Sequence, residues 1–224
     1  MRQTKLLLAL IVVLSSALLL HSCQTDEYDH STIFPNALVT LKTRPADGTF
    51  FLQLDDATVI IPTNIKTSPY GKKEVRALTN IKLTEDQKDL HTKSAFINWI
   101  DTIRTKEMAP NMGDKNITTY GNAPLEIVND WATVVEDGYL TLRFRTYYGN
   151  GKLHKVNLVK TADPYEVTLF HDAVGDTRGV IRDGFIAFRL NDLPDTQGKT
   201  VDLTLKWKSF SGEKSVKFKY RTRK

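Results

Sequence analysis

Apolar and polar residues alternate with a period of two through most of the second half of the chain. Leu140, Leu142 and Phe144 fall on one side of such a run and Thr141, Arg143 and Arg145 on the other. This is the pattern of a strand with one face in a core and one in water. Gly149, Asn150 and Gly151 follow, residues that tolerate the backbone of a tight reversal, and the alternation resumes at His154, Val156 and Leu158. The spacing predicts an antiparallel hairpin across this stretch. Further alternating sets occur at Val167 and Leu169, at Ile186, Phe188 and Leu190, at Val201, Leu203, Leu205 and Trp207, and at Val216, Phe218 and Tyr220. Short strands at this spacing, without long helical periods between them, predict an antiparallel β-sandwich over residues 123–224.

The first half carries shorter β-rich runs at residues 37–43, 49–54, 58–61, 75–83 and 95–103. Pro45, Asp47 and Gly48 separate the first two, and Asp55 and Asp56 the next, each a turn former for a definable reason: fixed φ, a side chain that bonds nearby backbone, or freedom at φ > 0. About five strands of this kind predict a small β-barrel over residues 36–105. Residues 84–94 read as a helical turn or a loop. Residues 106–122, with Pro110, Gly113 and no apolar period, read as a linker. The fold class expected is therefore all-β, a small barrel followed by a sandwich.

The N-terminus is of a different kind. Arg2 and Lys5 precede an apolar run from Leu6 to Leu20, and the only cysteine of the 224 residues, Cys23, follows directly. A basic start, a short apolar stretch and a processing point make an export signal, and the stretch is shorter than the roughly 20 residues that span a bilayer. Leu20, His21, Ser22 and Cys23 resemble a lipobox, with His21 a departure from the usual small or branched residue. Residues 1–22 are thus expected to be a lipoprotein signal peptide and Cys23 the lipidated residue. A lone thiol fits that role better than a disulfide in an exported chain. Residues 23–35 form an acidic tether, in which Asp26 and Glu27 resemble the surface-export signal of Bacteroidota lipoproteins. Removing the signal takes away two cations and no acid, so the formal charge falls from +5 to +3, which argues neither for nor against a polyanionic partner.

Five stretches carry a resemblance to a known family: TFFLQLDD at residues 49–56, NWIDTIRTK at 98–106, LEIVNDW at 125–131, FRLNDLPD at 188–195 and TLKWKSFSGE at 204–213. In these the chain resembles the NigD-like lipoproteins of Bacteroidota over nearly its whole mature length. The resemblance implies an N-terminal OB-type barrel and a C-terminal β-sandwich. It also implies a link to bacteriocin immunity, the context from which the family takes its name, and it brings no catalytic residues to carry over.

The residues themselves offer little catalytic chemistry. Of His30, His91, His154 and His171, only His171 has carboxylates close in sequence, Asp172 and Asp176, in a Gly/Asp-rich segment. Such a segment could orient an imidazole, but the simpler reading is a turn in which Asp side chains bond local backbone. His154 reads as a sheet-facing residue, Asp55 and Asp56 as a turn, and Trp207 as core. No His-Glu-x-x-His pair, Gly-x-Ser-x-Gly elbow, phosphate loop or EF-hand spacing occurs. No cofactor, metal or catalytic set is expected.

Binding features are more numerous. Residues 206–224 hold eight Lys or Arg against one acid, Glu213, and Lys217, Lys219 and Arg221 alternate with apolar residues. That row could meet an anionic glycan or a protein, or simply blunt an edge strand against aggregation. Phe50, Phe51 and Trp99 are candidate stacking surfaces, since OB-like barrels often bind oligosaccharides or oligonucleotides. Thr102, within Asp101-Thr102-Ile103, resembles a Bacteroidota O-glycosylation acceptor. The reading that follows is a non-enzymatic outer-membrane or surface lipoprotein, held by its lipid anchor and acting as a binding module, with a protein toxin as partner. The alternatives are a glycan-binding accessory lipoprotein and a hydrolase built on His171. Nucleic acid is not expected.

Overall fold

The computed structural model describes residues 30–84 and 89–223. Cys23, Asp26 and Glu27, and with them the predicted signal, anchor and export signal, lie outside those residues. Within residues 1–33 the described part includes a single 3-10 turn, His30–Thr32. From Phe34 onward the chain is one compact unit.

Its first five strands are β1 (Ala37–Thr43), β2 (Phe50–Gln53), β3 (Val59–Pro62), β4 (Val75–Leu83) and β5 (Thr92–Thr102). They close into a barrel in the order β1-β2-β3-β5-β4, with β4 paired back onto β1 and β3 running parallel to β5. The turn between β1 and β2 forms as its residues dictate. Asp47 accepts the Thr49 N–H at 2.9 Å, and Gly48 takes φ 72°. Val39, Leu41, Phe50, Leu52, Ile60 and Ala77 fill the barrel.

The remaining strands are β6 (Thr105–Lys106), β7 (Glu126–Ile127), β8 (Val134–Glu136), β9 (Tyr139–Tyr148), β10 (Lys155–Lys160), β11 (Glu166–Asp172), β12 (Val180–Arg189), β13 (Val201–Ser209) and β14 (Gly212–Tyr220). One sheet has the order β6-β12-β9-β7 with β8 also on β9, and the other β10-β11-β13-β14. Pairing is mostly antiparallel; β11 with β13 and β6 with β12 are parallel. The inward residues of both sheets, among them Leu140, Leu142, Phe144, Leu158, Phe188, Leu203 and Leu205, form the core between them.

The predicted hairpin of residues 140–158 does not exist. β9 pairs with β12 and β10 pairs with β11, so the Gly149-Asn150-Gly151 turn carries the chain from one sheet to the other. Period-two alternation reports which residues face the core, and both strands face the same core from opposite sides. It does not report the partner. Residues 106–122 are also structured: β6 extends a sheet, Met108 joins the sandwich core, and a short helix α1 (Asn116–Tyr120) follows. The Ala109 N–H donates to Leu158 O at 2.7 Å, which covers the outer edge of β10. Among the described residues no helix is long and apolar enough to cross a membrane.

Barrel and sandwich meet through a small apolar cluster, Leu38, Leu78 and Ile103 from the barrel against Tyr139 and Ala187 from the sandwich. Through it runs Arg76 of β4, fully buried. Its guanidinium donates to Thr40 Oγ1 at 3.1 Å within the barrel, to Thr141 Oγ1 at 3.2 Å in the sandwich, and to Glu136 Oε1. Burial nevertheless holds the Glu136 carboxyl above its usual range, against the pull of Arg76. The guanidinium groups of Arg76, Arg189 and Arg223 all stand 5.6–5.9 Å from the centre of the Tyr139 ring. The Tyr139 hydroxyl donates to Glu74 of the barrel. Burial, then that bond, push its titration up to about 12.

Two outcomes follow from this junction. Arg76→Met, which leaves Glu136 half-buried and unpaired, is expected to cost about 3–5 kcal/mol in urea unfolding. Tyr139 is held protonated in the fold, so its stabilisation is complete below the ordinary tyrosine value near 10 and is lost as pH rises from there toward 12. The urea midpoint of the native protein should therefore fall over that window more steeply than the midpoint of Tyr139→Phe.

Candidate functional site

Three concave or exposed regions compete for the role. The first is a cleft of about 430 Å³ between barrel and sandwich. Its charges are matched across the domain boundary: Lys42 with Asp137 at 2.6 Å, Arg223 with Glu74 at 2.6 Å, and Arg221 with Asp56 at 3.9 Å. Asp56 also accepts the Asp137 N–H at 2.8 Å. Hydrogen bonds from Arg223 and Tyr139 hold the Glu74 carboxyl low although burial opposes them. The cleft's charges are thus spent on joining the domains, and a ligand would have to displace them.

Several residues singled out in the sequence are likewise spent on the fold. Phe50 is 2% exposed and belongs to the barrel core, so it is no stacking surface; its strand position simply points inward. Trp99 is half-buried against the cluster between the domains. Phe51 is half-buried with Arg44 lying 5.3 Å over its ring. Arg221 takes part in the cleft pairing. Lys219 and Lys217 lie exposed on β14, an edge strand, and share Asp202 at 2.7 and 3.7 Å, while Lys206 pairs Glu166 at 2.7 Å. The cationic row therefore presents much less free charge than its composition suggests. Thr102 is exposed at the end of β5. Trp207 is core. Asp55 makes the expected turn, accepting the N–H groups of Ala57 and Thr58 at 2.8 and 2.7 Å.

The second region is the histidine segment, and here the structure brings together what the sequence kept apart. His171 is 2% exposed, His154 8% and Asp176 3%. His154 Nδ1 lies 2.9 Å from His171 Nε2, His154 Nε2 lies 3.3 Å from Asp176 Oδ2, and His171 Nδ1 lies 3.3 Å from Pro124 O. Tyr148 stacks on the His154 ring at 4.6 Å. Asp172 makes the local turn expected, accepting the Val174 N–H at 2.8 Å. Asp176 instead accepts the N–H groups of Gly149 and Asn150 from the other sheet's connection, at 2.8 and 3.2 Å. Gly149 allows this, because a Cβ there would stand 2.4 Å from Arg178 O. The hydrogen bonds from Gly149 hold the Asp176 carboxyl below its usual range, although burial opposes them, and burial followed by the His154 charge pulls His171 down. A catalytic imidazole must reach a substrate; His171 is enclosed, and His154, though it borders a groove with Arg104 and Lys106, is almost wholly buried. Among the described residues no group of three or more His, Cys, Asp or Glu is placed to hold a metal ion.

The third region is the outer face of β9 and β12. Tyr147 pairs with Ile181, Arg145 with Asp183 and Arg143 with Phe185, while beyond them Thr141 and Ala187 are buried and Ala187 joins the domain junction. The uncovered part carries Ile181 at 50% exposure, and Phe210, in the turn between β13 and β14, is 43% exposed beside it. Phe210 meets Tyr147 edge to face at 5.3 Å, and the Arg143 guanidinium lies 5.9 Å from the Phe185 ring. Arg143 is held between Asp130 at 2.6 Å and Asp183, and Arg145 bonds Asp183 at 2.6 Å, so both guanidinium groups are fixed in place. At one end a pocket of about 220 Å³ is lined by Tyr147, Phe210, Pro124, Asp176 and Thr177. Exposed aromatics and oriented arginines around a small pocket are the composition of a protein-binding surface. Apart from Asp176 of the histidine segment, the sequence singles out none of these residues as a site. The alternation placed Arg143 and Arg145 on the wet face, and Trp131 and Phe210 lie inside stretches that carry the family likeness, but which strands would lie side by side was not readable.

The comparisons fit this architecture. Residues 38–103 match the model of the NigD-like N-terminal OB domain, and residues 107–220 that of the NigD-like C-terminal β-sandwich domain. A crystal structure from Parabacteroides distasonis, provisionally described as a toxin-related protein, is 32% identical with a TM-score of 0.69, over 83% of this chain and 92% of that one. A NigD-like immunity protein from Bacteroides caccae aligns at 19% identity and TM-score 0.61, over 83% of this chain and 96% of that one. A protein from Bacteroides fragilis, provisionally described as a lipoprotein, aligns at 16% identity and TM-score 0.54, over 84% and 99%. The last two likenesses speak to fold alone. The comparison with curated proteins gives no match. With a family model covering each of its two domains, the chain belongs to the NigD-like family.

Proposed function

We propose that this protein is a non-enzymatic binding module of the cell envelope, anchored by a lipid on Cys23 and engaging a protein partner through the Tyr147–Phe210 face, in a role linked to bacteriocin immunity. The observation that carries the reading is the uncovered part of the β9–β12 face, with Ile181 about half exposed beside fixed arginines and the half-exposed Phe210 packed edge to face on Tyr147. The enclosure of His154 and His171 speaks against a hydrolase. The glycan-binding alternative loses Phe50 to the core and most of Trp99 to the domain junction. Surface export through Asp26 and Glu27 and glycosylation of Thr102 belong to the same proposal.

Deletion of the gene should sensitise the native host to a bacteriocin encoded beside it, and wild-type protein supplied in trans should restore resistance. A Tyr147→Ala/Phe210→Ala double variant, folded and present at equal level, should not, since loss of two anchors weakens binding by about tenfold or more. Unchanged sensitivity of the deletion strain would refute the immunity role. Full rescue by the double variant would refute the face. Cys23→Ala should move the protein from the membrane pellet to the soluble fraction, and its retention in the pellet would refute the anchor.

A further inference from the structure

The buried chain from Asp176 through His154 and His171 to Pro124 O has an acceptor at each end. Asp176 Oδ2 already takes two backbone N–H groups, and the Pro124 carbonyl can only accept. Between these ends lie three contacts: Asp176 to His154 at 3.3 Å, His154 to His171 at 2.9 Å, and His171 to Pro124 at 3.3 Å. Each is a hydrogen bond only if it holds one proton. Two neutral imidazoles bring two N–H groups between them, so one contact is left with two lone pairs face to face, an unmade hydrogen bond between buried rings. Two imidazolium rings bring four, and two N–H groups then oppose each other across the 2.9 Å contact. Three protons satisfy the chain, and no other number does.

The third proton comes from solvent and forms an N–H bond on the ring pair, and the positive charge it adds is balanced by the Asp176 carboxylate. Both ends of the chain, Pro124 and Asp176, line the pocket beside Tyr147 and Phe210. We propose that Asp176, His154, His171 and the Pro124 carbonyl form a one-proton clamp that ties together two of the chain segments lining this pocket and loosens when its third N–H proton leaves.

Titratable and charged groups surround the pair. On β9, Tyr148 stacks on His154, and burial together with the Asp176 charge keeps its phenol protonated. On β11, Asp172 faces His171 and is paired at 3.8 Å with Lys155 of β10. On the outer side Arg104 and Lys106 line a groove along His154, with Lys106 bonded to Val156 O at 2.7 Å and to Asn157. Burial and the neighbouring ring hold His171 below the ordinary imidazole value, so it is the ring that stays neutral, its Nδ1–H on Pro124. Stability owed to His171 is therefore complete above the ordinary imidazole value, about 6.5, and falls as pH drops below it, because the unfolded chain takes up a proton there that the fold refuses.

Nitrogen-15 NMR of the imidazoles in the full mature protein reads the count directly, without any partner, so its outcome is separate from that of the binding proposal. At about pH 6.5 the two rings should carry three N–H protons, with His171 neutral and protonated at Nδ1. On raising the pH, loss of the third should coincide with exchange of the Gly149 and Asn150 amides, which donate to Asp176, rising more steeply than the hydroxide-catalysed increase common to all amides. Asp176→Asn, which removes the balancing charge, should move that transition to lower pH. Two neutral rings at pH 6.5, or loss of the third proton with no such steeper rise at those amides, would overturn the proposal.

Discussion

One guanidinium is asked to be satisfied by two domains at once. Arg76 lies in a barrel strand, yet of its three donated side-chain bonds one goes to the barrel's Thr40 and two cross to Thr141 and Glu136 of the sandwich. Fully buried charge is tolerated only where every donor finds a partner. The barrel therefore cannot complete this residue by itself, and the sandwich supplies what is missing. The surrounding pairs repeat the arrangement at the cleft, where Lys42, Glu74 and Asp56 of the barrel each meet an opposite charge from the sandwich. Apolar contact alone is small here, with Leu38, Leu78 and Ile103 against Tyr139 and Ala187.

That junction decides which surfaces remain for a partner. The sheet containing β9 and β12 is long enough that the barrel side covers Thr141 and Ala187 and Phe185 packs against the junction, while Tyr147, Ile181 and Arg143 lie beyond it. The uncovered end is also where the two sheets are connected through residues 149–151 and where Asp176 and the histidines draw three chain segments together. A binding face and a polar clamp occupying the same end are mechanically related. A change in the clamp's proton count reaches Pro124 and Asp176, and both border the pocket.

Much of the fold was legible because alternation is a local property. The five barrel strands lie close to where short β-rich runs placed them, and Pro45, Asp47 and Gly48 turn the chain as their chemistry requires. What failed depends on partners far away in sequence. Residues 140–158 alternate as a hairpin would, but β9 and β10 belong to opposite sheets. Phe50 and Phe51 are equally aromatic on paper, and only strand register sends the first into the core. His154 and His171 are separated by a turn and a strand, so their contact emerges only once β10 pairs with β11 and sets Val156 beside His171. The family resemblance rested on stretches that include Trp131 and Phe210, and the domain assignment it implied agrees with the two matched family models. It could not say that Phe210, in the turn between β13 and β14, would meet Tyr147 of β9.

If Arg76 makes the two domains interdependent, they must unfold together. Differential scanning calorimetry of the mature chain is predicted to show a single transition whose calorimetric and van't Hoff enthalpies agree. Two separated transitions, one for a barrel that melts while the sandwich persists, would contradict the account.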